Sequence, residues 1–212
     1  MFYNFAKRTM DVVGAILGIF LFFPIFVILA IAIEIESPGP VLADTPRRVG
    51  KDGREFRFLK LRSMVPNAHQ LLHTDPRFKK LLDEYKKSSY KLHEDPRVTR
   101  VGRFIRKYSL DEIPQFINVF LGDMSIVGPR AYYPFELKEQ QEKYPHTKEL
   151  VKEVLRIKPG ATGPWQVSGR SEINFDKRIK MDAEYARKRS IVYDIIIIAK
   201  TPLAMITGKG AI

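Results

Sequence analysis

The sequence predicts an α+β fold, mostly helical with a small sheet, behind an apolar N-terminal membrane segment. Three observations predict it. Val12 to Ile33 is 22 residues without a single charge. Downstream, apolar residues recur at helical spacing in segments bounded by Pro and Gly. Between these, short apolar runs end in Gly-Pro turns, the mark of short strands.

At ~1.5 Å rise per residue, one helix over the uncharged run reaches across a bilayer core of roughly 30 Å. It is longer than the apolar region of a cleaved leader. Glu34-Ile35-Glu36 and Ser37-Pro38-Gly39-Pro40 end it. Pro24 sits near its centre, where it removes a backbone hydrogen bond and crowds the preceding turn. Two readings stay open: a kinked span, and a re-entrant helix-break-helix that returns to the face it entered. Lys7 and Arg8 precede the run, and Arg47, Arg48, Lys51 and Arg54 follow it. Positive-inside bias puts both flanks in the cytoplasm, which a simple span does not satisfy. The chain therefore divides into an apolar membrane segment, residues 1–36, open to both readings, and a membrane-associated cytosolic domain, residues 37–212.

The body reads in order as follows. Val41 to Ala43 suits a short strand, and Arg48 to Gly53 a turn. Phe56, Phe58 and Leu61, with Arg57, Lys60 and Arg62 between them, form a half-buried strand with a basic face. Ala68 to about Lys87 is helical, interrupted at Asp75-Pro76. A second Asp-Pro, Asp95-Pro96, opens the stretch containing Val98, Val101, Phe104 and Ile105. Met124 to Val127 is a strand feeding the Gly128-Pro129 turn. Phe135 to Tyr144 and Lys148 to Leu155 are surface helices, and residues 158–164 a loop. Phe175 to Lys188 is a charged amphipathic helix. Ile191 to Ala199 is either a buried strand or an amphipathic helix lying at the membrane interface, rimmed by Lys200 and Lys209, so that 191–212 is interfacial.

Composition narrows the chemistry. The 212 residues carry a net charge of +12 and no Cys. Zero Cys excludes disulfides, thiolate metal sites and a cysteine nucleophile. Residues 1–36 hold two basic and three acidic side chains, a net of −1, so the body carries +13. Such an excess beside a membrane segment points to an anionic partner. In Ser109-Leu110-Asp111-Glu112-Ile113-Pro114-Gln115, Ser109 and Glu112 have capping-box spacing. That cap leaves Asp111 unexplained except as first-turn electrostatics. Functionally, a carboxylate at such a position can hold Mg2+ beside a bound phosphate, or attack phosphorus. Gly128-Pro129-Arg130 and Gly169-Arg170 each project a guanidinium from a turn, the shape that grips phosphate oxygens bidentately. Lys60, Arg62, Arg103 and Arg106 are further anion candidates, and Asp123 is a turn residue or a metal ligand. No nucleotide-loop, zinc-protease or nucleic-acid signature is present.

Taken in order, these blocks resemble the bacterial sugar transferases, the monotopic phosphoglycosyl transferases. The resemblance runs through Lys7-Arg8-Thr9-Met10-Asp11, the run around Pro24, and Arg48 to Gly53. It continues in Leu59 to Met64, Ser109 to Gln115 and Asn118 to Arg130. It closes with Lys158 to Gly163, Gln166 to Arg170, and Asp182 with Tyr185. It implies an enzyme on the cytoplasmic face of the bacterial inner membrane, with residues 1–36 forming a re-entrant membrane helix hairpin that breaks at Pro24 and penetrates one leaflet. Such an enzyme moves a sugar 1-phosphate from a UDP-sugar to undecaprenyl phosphate with Mg2+, releasing UMP. That step starts exopolysaccharide, capsule or O-antigen lipopolysaccharide assembly. Asp111 matches the nucleophile that would carry a covalent phosphosugar, and Glu112 its partner in catalysis and metal binding. Lys60, Arg62, Arg106, Arg130 and Arg170 would bind phosphate, and Asp182 is a weaker transfer. The sequence departs twice: Phe23 stands where the family commonly has Ser before the proline, and Ala131 where it often has Pro after the Arg. The sugar and a homodimer are left open.

Two other readings compete. A basic nucleic-acid-binding membrane protein accounts for the charge but not for the apolar run, and nucleic acid is not an expected partner. A non-catalytic membrane scaffold leaves the Asp-Glu and Gly-Pro-Arg blocks idle.

Overall fold

The structure is a computed structural model that describes residues 2–87, 92, 94–169 and 173–207. Arg170 and Lys209 lie outside the described residues. The long helix α1 (Phe2–Glu36) opens the chain and continues through Pro24. A hairpin of β1 (Arg48–Val49) and β2 (Glu55–Phe56) follows, then α2 (Ala68–Thr74), α3 (Lys79–Lys87) and α4 (Arg100–Lys107). The chain goes on through α5 (Gln115–Leu121), β3 (Ser125–Val127), α6 (Pro134–Lys143), α7 (Lys148–Val154) and β4 (Gly160–Thr162). It ends with α8 (Pro164–Ser168), α9 (Phe175–Lys188) and α10 (Ile191–Thr207). β1 and β2 pair antiparallel, and β3 and β4 pair parallel.

α1 is fastened to the body along its whole length. Asp11, Ala15, Gly18, Phe22, Phe26, Leu29 and Ile33 fall on one face at spacings of three and four residues, and that face is buried or half-buried. Ala15 joins the cluster of Phe56, Phe58, Val119 and Met124. Leu29 and Ile33 join Leu61, Ile105 and Ile113. Gly18 has no Cβ, and a Cβ there would meet the ring of Phe116, which stacks on Phe22. The two ends are tied by charge. Arg8 donates to the carbonyls of Val119 and Phe120, both at 2.8 Å, closing the C-terminus of α5. Glu36 accepts from the backbone N–H groups of Arg100 and Val101 at 2.7 and 2.8 Å, closing the N-terminus of α4. Near the start, Asp11 accepts from Ser125 Oγ and the Ile126 N–H.

The opposite face is apolar and bare. Leu17, Phe20, Leu21, Phe23, Ile28, Ile31 and Ile35 are exposed on α1. Ile117, Phe120 and Leu121 of α5 and Val192, Ile195, Ile196, Leu203 and Ile206 of α10 are exposed too. Exposed apolar side chains in such number mark an interaction surface.

Several expectations are corrected. Of the two readings of Ile191 to Ala199 the helix holds and the strand does not: the segment starts α10, with Ile197 and Asp194 turned inward and Ile195 and Ile196 turned out. Contacts with β3, β4 and α8 decide this over the β-propensity of isoleucine. The half-buried strand over Phe56 to Leu61 is regular only at Glu55–Phe56; beyond it the chain stays extended and touches Leu42 through a single bridge at Leu61. Residues 158–164 are not all loop, since Gly160–Thr162 pairs with β3 in the register Ser125↔Gly160, Val127↔Thr162. That pairing needs glycine: a Cβ on Gly160 would fall on the backbone of Gly128 and Thr162. Replacing Gly160 by Ala should therefore destabilise the chain by about 1–3 kcal/mol. Thermal melting of the detergent-solubilised variant checks this, and an unchanged midpoint would mean the strands separate freely.

Candidate active site

Asp111 is built into the body by the end of α4. Ser109 adopts a left-handed conformation, φ 55°, and its side chain caps nothing. The expected capping box is thus absent. Ser109 instead terminates α4, its N–H bonding to the Arg106 carbonyl at 3.0 Å. The left-handed turn costs a non-glycine residue about 1 kcal/mol. It tips the short turn Leu110–Glu112 inward, which buries Asp111 to 2% exposure and leaves Glu112 partly open.

Facing Asp111 is the extended segment Arg57 to Met64. Asn118, buried in α5, grips it twice: Oδ1 accepts from Leu59 N–H at 2.9 Å and Nδ2 donates to the Arg57 carbonyl at 2.8 Å. Leu61 N–H then bonds to the carbonyl of Asp111 itself at 2.8 Å. Together these fix Lys60 so that Nζ lies 2.7 Å from Asp111 Oδ2 and 3.8 Å from Glu112 Oε1. The ammonium supplies opposite charge but meets Oδ2 off the hydrogen-bond line, so this buried oxygen has no donor of its own.

Lys60, Asp111 and Glu112 line a cavity of about 910 Å³. Arg106, whose Nε donates to Ser63 Oγ at 2.8 Å, and Arg130 share its wall. At the other end the cavity reaches Val13, Gly14 and Phe22 of α1 and Ile198, Pro202 and Met205 of α10. One volume thus connects these charged groups to helices that carry the bare apolar side chains.

The remaining sequence candidates scatter. Arg62 touches the cavity, but its guanidinium is spent on the loop after α1: it donates to the Pro40, Ser37 and Gly39 carbonyls and to Ser37 Oγ. Four of its five donors hold that loop, so it acts as a clamp rather than as an anion ligand. Asp123 lies away from the cavity lining, in a turn held by Asn118. Asp182 is fully buried beneath Arg130, where Oδ2 accepts the Arg130 N–H and the Tyr132 hydroxyl, both at 3.1 Å. Its role is to hold the Arg130 turn. The Arg130 guanidinium lies 5.0 Å from the centre of the Trp165 ring. Asn118, Ser63 and Trp165 carry no sequence signal of their own; Asn118 and Ser63 fall within matching blocks that could have flagged them, and Trp165 falls between two.

Burial pushes the Asp182 carboxyl up to about 7 against the opposing pull of the Arg130 and Tyr132 bonds. The native chain then keeps a proton there that the unfolded chain releases near pH 4. Between about pH 4 and 7 the native state binds more protons, so this group's stabilisation is present in acid and is lost as pH rises through 7. Asp182→Asn should flatten that part of the stability-pH curve, read by thermal melting from pH 5 to 8. An unchanged slope would contradict it.

Residues 2–208 match the family described as bacterial sugar transferase. The chain is 42% identical over 212 residues to the UDP-galactose-lipid carrier transferase of Erwinia amylovora, covering 98% of this chain and 42% of that protein. It is 40% identical over 212 residues to the undecaprenyl-phosphate galactose phosphotransferase of Salmonella typhimurium, covering 98% and 42%. To the exopolysaccharide production protein ExoY of Rhizobium meliloti it is 36% identical over 206 residues, covering 97% and 88%. The chain thus spans less than half the length of the first two and most of the third, and it belongs to the bacterial sugar transferase family.

Proposed function

We propose that this chain transfers a sugar 1-phosphate from a UDP-sugar to undecaprenyl phosphate, releasing UMP, as the first membrane step of bacterial exopolysaccharide, capsule or O-antigen assembly. The observation that carries the proposal is Asp111, buried and paired with Lys60 in a cavity that also opens along α1 and α10. The names of two relatives, a UDP-galactose-lipid carrier transferase and an undecaprenyl-phosphate galactose phosphotransferase, supply the two substrate classes.

An Asp111 carboxylate oxygen attacks the phosphorus that bears the sugar. The bond from that phosphorus to the bridging oxygen breaks, and UMP leaves with the bridging oxygen and its electron pair. Asp111 then holds the sugar phosphate as an acyl phosphate. A phosphate oxygen of the polyprenyl acceptor attacks the same phosphorus, and the carboxylate departs unchanged. Lys60, freed from its ion pair as Asp111 loses its charge, remains to neutralise the phosphoryl oxygens, with Arg106 and Arg130 beside it. Arg170 stays a candidate for the same duty.

Asp111 and Glu112 would also hold Mg2+. Lys60 already places a cation between the two carboxylates, and among the described residues no third ligand group is gathered. Two hard oxygen donors suit an ion that keeps waters and substrate phosphates as its other ligands. When bound it would neutralise charge on the diphosphate.

The topology reading is that α1, although it is a single helix through Pro24 and not the expected helix-break-helix, dips into the inner leaflet from the cytoplasmic side and returns to it, with the catalytic body on the cytoplasmic face. Arg8 and Glu36, near opposite ends of α1, are both bonded to this one body, which supports the reading over a simple span. α10, amphipathic and bare on one side, would lie in the same interface.

Two experiments test the proposal. Asp111→Asn should cut UMP release from the accepted UDP-sugar by about 10³-fold or more; turnover at the wild-type rate would end the nucleophile assignment. The chain has no native cysteine, so Asn4→Cys and Arg54→Cys can be labelled cleanly. Both should react with an impermeant maleimide from the cytoplasmic side only; labelling from opposite sides would mean a span.

A further inference from the structure

The buried charges around the cavity do not balance. Arg97 pairs with Asp95 at 2.6 Å, and Arg178 lies 3.8 Å from Glu136. Arg48 has no such partner among the described residues. It is 8% exposed, with its guanidinium 3.3 Å from the centre of the Tyr133 ring and 5.0 Å from that of Phe58. Its Nη1 donates to the Ala131 carbonyl at 3.1 Å, and its Nε is buried without an acceptor. Arg130 repeats the pattern, with a buried unpaired Nε and no ion pair among the described residues. Burial lowers the Arg48 pKa from the ordinary arginine value, and Arg130 lowers it further against the pull of Tyr133 and Glu136. Arginine stays charged even so. Aromatic faces attract a cation but do not satisfy its N–H groups. Trp165 presents a third orphan, its buried Nε1. All three side chains line the cavity.

We propose that Arg48, together with Arg130, forms a phosphate-binding subsite on the aromatic wall of the cavity, additional to the Lys60 and Arg106 side. With Nη1 engaged by Ala131, the edge left over carries Nε and Nη2, the pair of donors that matches two phosphate oxygens. A phosphate there would satisfy the orphaned donors and offset the repulsion between the two guanidiniums. The subsite rests on the reading of the cavity as a site for phosphate-bearing substrates, not on the transfer step. Its phosphate would come from the nucleotide or from the lipid acceptor, and the test separates them.

The test is thermal melting of the full chain in detergent, titrated with inorganic phosphate, UMP or a short-chain isoprenyl phosphate. Inorganic phosphate should raise the wild-type midpoint. Arg48→Met should lose that increment yet melt no lower than wild type without ligand, because an uncompensated buried charge has gone. Arg48→Lys keeps the charge without the fork and should need about tenfold more phosphate for half the effect; it decides the matter if Arg48→Met does not fold. The organic phosphate whose increment depends on Arg48 identifies the occupant. A merely structural Arg48 would give the reverse, a lower unliganded midpoint and an unchanged increment. That result, equal half-effect concentrations in wild type and Arg48→Lys, or no phosphate stabilisation of wild type, would overturn the subsite. Arg48-dependent binding with no UMP release from any UDP-sugar would instead defeat the transfer reading and leave the subsite standing.

Discussion

One face of α1 lies against the body from Asp11 to Ile33, and the other turns Leu17, Phe20, Leu21, Ile28 and Ile31 outward. The inward face is not ornamental: it completes two of the apolar clusters that hold Phe56, Phe58, Leu61 and Ile105. The outward face is bare, and α5 and α10 carry exposed apolar side chains too. The helix is part of the body's core on one side and leaves an uncovered apolar surface on the other. The cavity joins the charged groups Lys60, Asp111 and Glu112 to residues of α1 and α10, two helices with bare apolar faces, which suits the proposed reaction between a soluble and a lipid substrate.

Precision at the floor comes from uncharged and structural groups. Asn118 and the Leu61-Asp111 backbone bond set where Lys60 stands. Arg62 and Glu36 brace the turn by which α1 joins the body. Asp182, protonated more readily than an ordinary carboxyl, holds the Arg130 turn from below. A reaction in which one carboxylate alternates between free and phosphorylated needs such a frame, because its counter-charge must stay put as its own charge comes and goes.

The elements set by local chemistry were legible in the sequence. The break between α2 and α3 falls at Asp75-Pro76, and α9 follows the amphipathic spacing from Phe175. Elements set by distant contacts were not. β4 is Gly-Ala-Thr, with no pattern to betray it, and exists because Gly128 and Gly160 let two backbones approach. The isoleucines of α10 favour a strand locally but are wrapped as a helix by β3, β4 and α8. The spacing of Ser109 and Glu112 reads the same whether Ser109 starts a helix or ends one. Arg48 and Arg62 look alike as letters. What separates them is that folding brings three carbonyls and a hydroxyl to Arg62 but a single carbonyl to Arg48.

The central claim is that Asp111 carries the sugar phosphate between two separate half-reactions. Isotope exchange tests it most directly. Radiolabelled UMP is incubated with unlabelled UDP-sugar, Mg2+ and the full chain, with no lipid acceptor present. A covalent intermediate formed before the acceptor binds predicts label appearing in the UDP-sugar, and none with Asp111→Asn. Exchange that requires the acceptor, or that persists in the Asn variant, would contradict the account.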